Sequence, residues 1–288
     1  MSHASSKGSP ERENLQDVAR YAYEIRRHAI RMVARADSSH IGGALSMADV
    51  IAVLYGEILR VDPARPAWPE RDRFILSKGH CCSSLYAALA LRGFFPLSEL
   101  ERYGMPDSRL MCHVSHAVPG VEWSTGSLGH GLGLACGQAL AGLRAGHAWR
   151  VFAVLSDGEL DEGSTWEAAL FAGHHRLKNL HVVVDANRIQ SLGFTKDVLD
   201  LHSIAAKFEA AQWEVVEVDG HDLAALRTAF AHPWGPHPRC IVAHTVKGKG
   251  VSFMEDKLEW HYRAPKTEEL LQLALQQLAA HYGRTDAD

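Results

Sequence analysis

The chain reads as an α/β protein built on a doubly wound parallel sheet with helices on both faces. Two observations lead there. Short apolar runs such as VFAVLS, HVVVDA and CIVAH are separated by helical stretches, and strands that alternate with helices imply right-handed βαβ crossovers. Hydrophobic residues make up 47% and charged residues 22% of the 288, which supplies a sizeable core for one or two domains.

The elements follow in order. Asn14 to Ala36 has helical periodicity, with Ile25, Ala29, Met32 and Val33 on one face. Met47 to Leu59 is a second helix, and Pro63, Pro66 and Pro69 mark a loop. Phe74 to Leu76 is a short strand. Ser83 to Leu91 is an Ala/Leu-rich helix, and Ser98 opens a short one. Leu128 to Leu143 is a helix of small residues, able to pack tightly. Strands are expected at Val151 to Leu155, His181 to Asp185, Glu214 to Val218 and Cys240 to His244. Helices lie between them near Glu162 to Leu177, Ser203 to Ala211 and Leu223 to Phe230. The last helix runs from Thr267, a plausible N-cap, to His281; Glu268 and Glu269 occupy the first turn, where the dipole favours negative charge. Residues 1–13 read as a disordered tail and 14–288 as a single domain, with no repeat, low-complexity block or linker.

Composition excludes several classes. The net charge is −4 and no basic run points to nucleic acid. No apolar stretch is long enough to span a bilayer, and the start lacks the apolar core of a signal peptide. The five cysteines are odd in number, two are adjacent and none has metal-type spacing, so reduced thiols in a cytoplasmic protein are expected.

The chemistry concentrates between Ser156 and Gln190. Asp157-Gly158 closes one apolar strand and Asn187 closes the next, with a helix between them. That layout brings a carboxylate and an amide carbonyl to the carboxyl ends of neighbouring parallel strands, where open α/β sheets bind ligands. A lone Asp-Gly is an ordinary turn; strand, DG, helix, strand and Asn together are far more specific. Mg²⁺ or Ca²⁺ takes hard oxygen ligands. Asp157 and Asn187 offer two, and the turn beyond adds a main-chain oxygen, best placed at Ile189. Gly158 lacks a Cβ, so its backbone can approach a phosphate. Of the eighteen histidines, those beside glycines in loops are the better candidates for proton handling. His40 precedes Gly42-Gly43, His80 follows Gly79, and His130 lies within TGSLGHGLG. His28, His147, His174, His175 and His202 lack such a setting and are assigned no role.

These segments carry a resemblance. The DG…N layout, with Glu162-Gly163 and Glu167-Ala168, is similar to the thiamine-diphosphate motif of transketolases. SSHIGGALSMADVIAVLY, DRFILSKGH, CHVSHAVPGVEWSTGSLGHGLG and TVKGKGVSFMEDKLEWHYRAP resemble four further segments of that family. Ser156 and Cys112 stand where the family usually has Gly, His130 where it has Gln, and Tyr262 where Gly is common. The resemblance implies the thiamine-diphosphate-binding fold, as a PP-type domain. It implies that Asp157, Asn187 and the Ile189 carbonyl hold Mg²⁺ or Ca²⁺. His80, Gly126, Ser127, Leu128, Gly158 and His261 would contact the cofactor, together with the metal ligands. His40 and His261 would handle substrate hydroxyls and protons, and either His113 or His116 would reach the substrate; the alignment there is loose. His261 has no glycine neighbour and rests on the resemblance alone.

The resemblance covers only the first half of a conventional transketolase. It implies a split enzyme. This chain is then the N-terminal subunit, a C-terminal subunit carries the pyrimidine-binding domain, and the pair assembles as an α2β2 heterotetramer. The implied reaction transfers a two-carbon ketol unit from a ketose phosphate to an aldose. A deoxyxylulose-phosphate synthase-like subunit, the α subunit of a 2-oxo-acid dehydrogenase and a non-catalytic cofactor-binding remnant are alternatives. An unrelated dinucleotide-binding protein is disfavoured, because no G-x-G-x-x-G follows the first strand.

Overall fold

The computed structural model describes residues 17–284. The tail assigned to residues 1–13 and the ends of the 14–288 domain lie outside them. Five parallel strands form the sheet: β1 (Arg73–Leu76), β2 (Val151–Ser156), β3 (Leu180–Ala186), β6 (Glu214–Asp219) and β7 (Arg239–His244), in the order β1-β2-β3-β7-β6. A small antiparallel hairpin, β4 (Ile189–Gln190) with β5 (Gly193–Phe194), follows β3. The helices in chain order are α1 (Val18–Arg35), α2 (Ile41–Ser46), α3 (Ala48–Val53), α4 (Cys82–Arg92), α5 (Gly131–Ala145), α6 (Gly163–His174), α7 (Thr195–Val198), α8 (Ile204–Ala210), α9 (Leu223–Ala231) and α10 (Glu268–His281).

Both faces of the sheet are covered. Phe74, Leu76, Phe152, Val154, Val183, Ile241 and Ala243 pack into one buried cluster with α1 to α4, α9 and α10. The alternate residues Ile75, Val151, Ala153, Leu155, Val182, Val184, Cys240 and Val242 pack into a second with α5, α6 and α8. This is the double burial that parallel strands require. Its handedness follows from the route of the chain. The outward steps from β1 to β2, β3 and then β6 place α5, α6 and α8 on one face; the return step from β6 to β7 places α9 on the other.

Local chemistry sets the ends. Asp17 caps α1 by accepting the Ala19 and Arg20 N–H groups at 3.0 and 3.2 Å. Thr267 caps α10 through the Leu270 N–H, as expected from the sequence. The single helix expected from Met47 to Leu59 is instead three pieces. It begins earlier as α2, breaks at Met47 (φ −89°, ψ 0°), and ends in a π-helical turn at Leu54–Ile58. The small-residue helix starts at Gly131 rather than Leu128, because Gly126 and Gly129 hold φ of +147° and +85° in the loop before it.

Candidate active site

The carboxyl ends of β1, β2, β3 and β7 open onto a cavity of about 220 Å³. Lys78, Asp157, Asn187 and Lys247 each lie one to three residues beyond the strand that carries them. The loop before α2 adds His40, the α4 approach adds His80, and the loop before α5 adds His113, Gly126 and Leu128. Gly158, Ile189, Gln190, Ser191, His261 and Tyr262 complete the wall. Ten of the eleven residues singled out from the sequence therefore face one cavity. Ser127 does not; it is exposed at the rim between two lining residues. Of the alternatives His113 and His116, the cavity takes His113, whereas His116 is exposed and bonds Ser124.

The oxygen donors converge as their spacing suggests. Asp157 is buried, its carboxylate accepting the N–H groups of Gly158 and Arg188. Asn187 is buried too. Its Nδ2 donates to Asp185 at 3.2 Å and to Ser46 Oγ at 3.4 Å, so Oδ1 is the free end, accepting only the Ile189 N–H at 3.2 Å. The Ile189 carbonyl accepts from Lys247 Nζ at 2.9 Å. Burial, then the nearby Asp185, raises the Asp157 acid to about 6. A carboxylate so penalised, with no cationic side chain bonded to it among the described residues, fits a divalent cation, which would restore its charged form. One carboxylate and two carbonyl oxygens are a hard donor set; no group of three or more His, Cys, Asp or Glu forms a metal cluster among the described residues.

Two lysines missed at the sequence level shape the field. Lys78 is buried and ion-paired with Asp185, which also takes bonds from Ser46, Thr245 and Asn187. Burial opposes the Lys78 charge, but Asp185 outweighs it and holds the ammonium above its ordinary range. Lys247 makes no ion pair among the described residues: its partners are the Ile189 carbonyl and His261 Nδ1 at 3.0 Å. Burial and the Lys78 charge pull it down to about 8. Both lysines stand inside SKGH and TVKGKG, and only burial, invisible in the sequence, distinguishes them from surface lysines.

The histidines form one cluster. The His40 ring lies 4.8 Å from His80, 5.1 Å from His261 and 6.0 Å from His113, centre to centre. His40 adopts φ +71°, and its N–H donates to the His261 carbonyl at 2.8 Å, which locks two distant segments together. Burial first, then neighbouring imidazoles and lysines, lowers His40 to about 4 and His261 to about 3; His80 is pushed well below 6.5. All three are neutral at pH 7. His40 Nδ1 is buried without a hydrogen-bond partner among the described residues, so it remains available to a ligand.

Residues 18–283 match the family described as transketolase, thiamine diphosphate binding domain. One of the two apulose-4-phosphate transketolase subunits, from Actinobacillus succinogenes, is 39% identical over 274 residues, covering 94% of this chain and 99% of the relative. The 6-deoxy-6-sulfo-D-fructose transketolase subunit SqwG of Clostridium sp. is 38% identical over 269 residues, covering 92% and 98%. The solved transketolase of Leishmania mexicana superposes with a TM-score of 0.86 and 32% identity, over 93% of this chain but 42% of its own. That of Campylobacter jejuni gives 0.85 and 29%, over 95% and 43%. The chain thus spans less than half the length of these solved enzymes and nearly all of the two subunit relatives. It belongs to the transketolase family, of which it carries the thiamine-diphosphate-binding domain.

Proposed function

We propose that this chain is the N-terminal subunit of a two-subunit, thiamine-diphosphate-dependent transketolase. Its work is to hold the diphosphate end of the cofactor and one wall of the substrate pocket. The observation that carries this reading is the convergence of Asp157, Asn187 and the Ile189 carbonyl beside Lys247, an ammonium without an ion pair among the described residues, and a neutral imidazole cluster.

Asp157, Asn187 and Ile189 hold Mg²⁺ or Ca²⁺. Gly158, His80, Gly126, Leu128 and Lys247 face the diphosphate, with Ser127 at the rim. When bound, thiamine diphosphate supplies the electron sink for cleaving and forming the carbon–carbon bond next to a ketose carbonyl. The chain's own groups do the rest. His40, His113 and His261 orient substrate hydroxyls, and neutral imidazoles can accept a proton there and return it. His261 Nδ1 lies against Lys247 Nζ, which leaves Nε2 as the nitrogen that can exchange protons with substrate. The pyrimidine end of the cofactor falls to a C-terminal subunit, and two copies of each form the assembly, in a cytoplasmic setting. Among the described residues no helix is long and apolar enough to cross a membrane. The two subunit relatives are named for an apulose phosphate and a sulfofructose. Both are ketoses with an anionic group, which supports a ketose phosphate or a modified anionic ketose as donor.

Two variants test the reading. Asp157→Ala should abolish divalent-dependent binding of thiamine diphosphate, measured by calorimetry; undiminished affinity would overturn the metal assignment. His261→Ala should keep cofactor affinity while slowing ketol transfer by about a hundredfold or more. Wild-type turnover in that variant would remove His261 from the chemistry.

A further inference from the structure

A buried polar chain reaches the site from behind. Arg26, in the middle of α1, is fully buried and grips Asp49 of α3 with two bonds, of 2.9 and 2.6 Å. Asp49 Oδ2 in turn lies 2.7 Å from His221 Nδ1. His221 Nε2 lies 2.8 Å from the Val246 nitrogen. The protons on this chain can be assigned. Val246 N–H is a donor, so His221 Nε2 must be the bare nitrogen, and Nδ1 carries the proton that Asp49 accepts. Asp219 fixes the base of the same residue by accepting the His221 N–H at 2.8 Å.

The segment held in this way precedes Lys247. Val246 follows β7, and the next side chain crosses the cavity wall to reach Ile189 and His261. The far side of the segment is pinned by Gly248 N–H on the Gly42 carbonyl at 2.9 Å, beside the His40 loop. Gly42 allows no slack, because a Cβ there would lie 3.0 Å from Lys247 Cγ. The His221 bond anchors the segment from the α9 side. Positioning groups are strongest when their own orientation is fixed by further bonds, and Arg26 with Asp49 provide that.

We propose that His221 is a positioning residue for cofactor binding, one that sets the backbone at Val246 and thereby aims the Lys247 ammonium into the diphosphate cavity. It touches neither cofactor nor substrate. The role of Lys247 rests on the function proposed above; the geometry of His221 does not.

The test separates the two. Long-range ¹H–¹⁵N spectra of the full chain should show the Nδ1–H form of His221 at neutral pH, with Nε2 bare. The Val246 amide should exchange slowly in wild type, at least about tenfold faster in His221→Ala, and slowly again in His221→Gln, whose amide oxygen can take the place of Nε2. Affinity for thiamine diphosphate with Mg²⁺ should fall about tenfold in His221→Ala and return to within about threefold in His221→Gln, with unfolding temperatures that do not follow this order. An Nε2–H tautomer, or an unchanged Val246 exchange rate in His221→Ala, would overturn the proposal. So would cofactor affinity that tracks thermal stability across the three proteins. Absence of binding to wild type would count against the cofactor reading, and the tautomer and exchange data would still decide whether His221 holds the segment.

Discussion

At the residue scale the site is a set of charges kept from water, and each has a different fate. Asp185 neutralises Lys78 and is in turn held by two hydroxyls and an amide. Asp157 and Lys247 are left without such partners among the described residues, and their acid strengths move toward each other, to about 6 and about 8. That is the state expected of groups awaiting a cation and an anion. The histidines make a further prediction. His40 and His261 are lowered to about 4 and 3, and His28 to about 4, while His80, His181 and His281 also lie below 6.5. Between pH 6.5 and 4 the unfolded chain binds protons at these positions that the native chain refuses, so stability falls as pH falls. Glu122, Asp157 and Glu159 are raised and work in the opposite sense, but the histidines outnumber them. Urea midpoints of the ligand-free chain should therefore drop from pH 7 to pH 5. A constant or rising midpoint would contradict the buried, neutral cluster.

At the scale of elements, close backbone approach places the loops. A Cβ at Gly79 would lie 2.4 Å from the Thr125 carbonyl oxygen. The SKGH turn and the TGSLG loop thus touch through a glycine, which keeps His80 and Gly126 on one wall. Gly79→Ala should cost about 1–3 kcal/mol of stability and weaken cofactor binding. Gly133 sits exposed on α5, and a Cβ there meets nothing within 4 Å among the described residues. Gly133→Ala should stabilise the isolated chain by about 0.5–1 kcal/mol. Equal effects from the two substitutions, read by chemical denaturation, would sink the distinction. This is also the scale at which the sequence was partly opaque. All five sheet strands lie within a residue of where their apolar runs place them, because covered parallel strands leave a continuous signal. The break at Met47, the hairpin at Ile189–Gln190 and the short turn Leu258–His261 left none. They are set by tertiary contacts such as the His40 to His261 backbone bond rather than by local pattern.

At the scale of the whole molecule, the fold gathers pieces far apart in sequence onto one edge of the sheet. Asp157 and Asn187 were legible because strand, turn and helix fix their relative place. His40, His80 and His261 needed the family resemblance, since nothing local brings residues 40 and 261 together. Lys78, Lys247 and Asp185 escaped notice because a buried charge looks like any other charge until its surroundings are known. The chain spans 42% of the length of the Leishmania mexicana enzyme but 99% of a relative that is itself named as one subunit of an enzyme. Half a cavity wall, and a catalytic constellation without a group for the pyrimidine end, fit a protein that acts in combination.

The most direct test is a ketol-transfer assay on the purified chain with thiamine diphosphate and Mg²⁺, alone and after mixing with the pyrimidine-binding protein that co-purifies from its host. The account predicts no turnover from the chain alone and turnover with an anionic ketose donor in a stoichiometric complex of the two. Turnover by the chain alone, or a stoichiometric complex that binds the cofactor and transfers nothing, would contradict it.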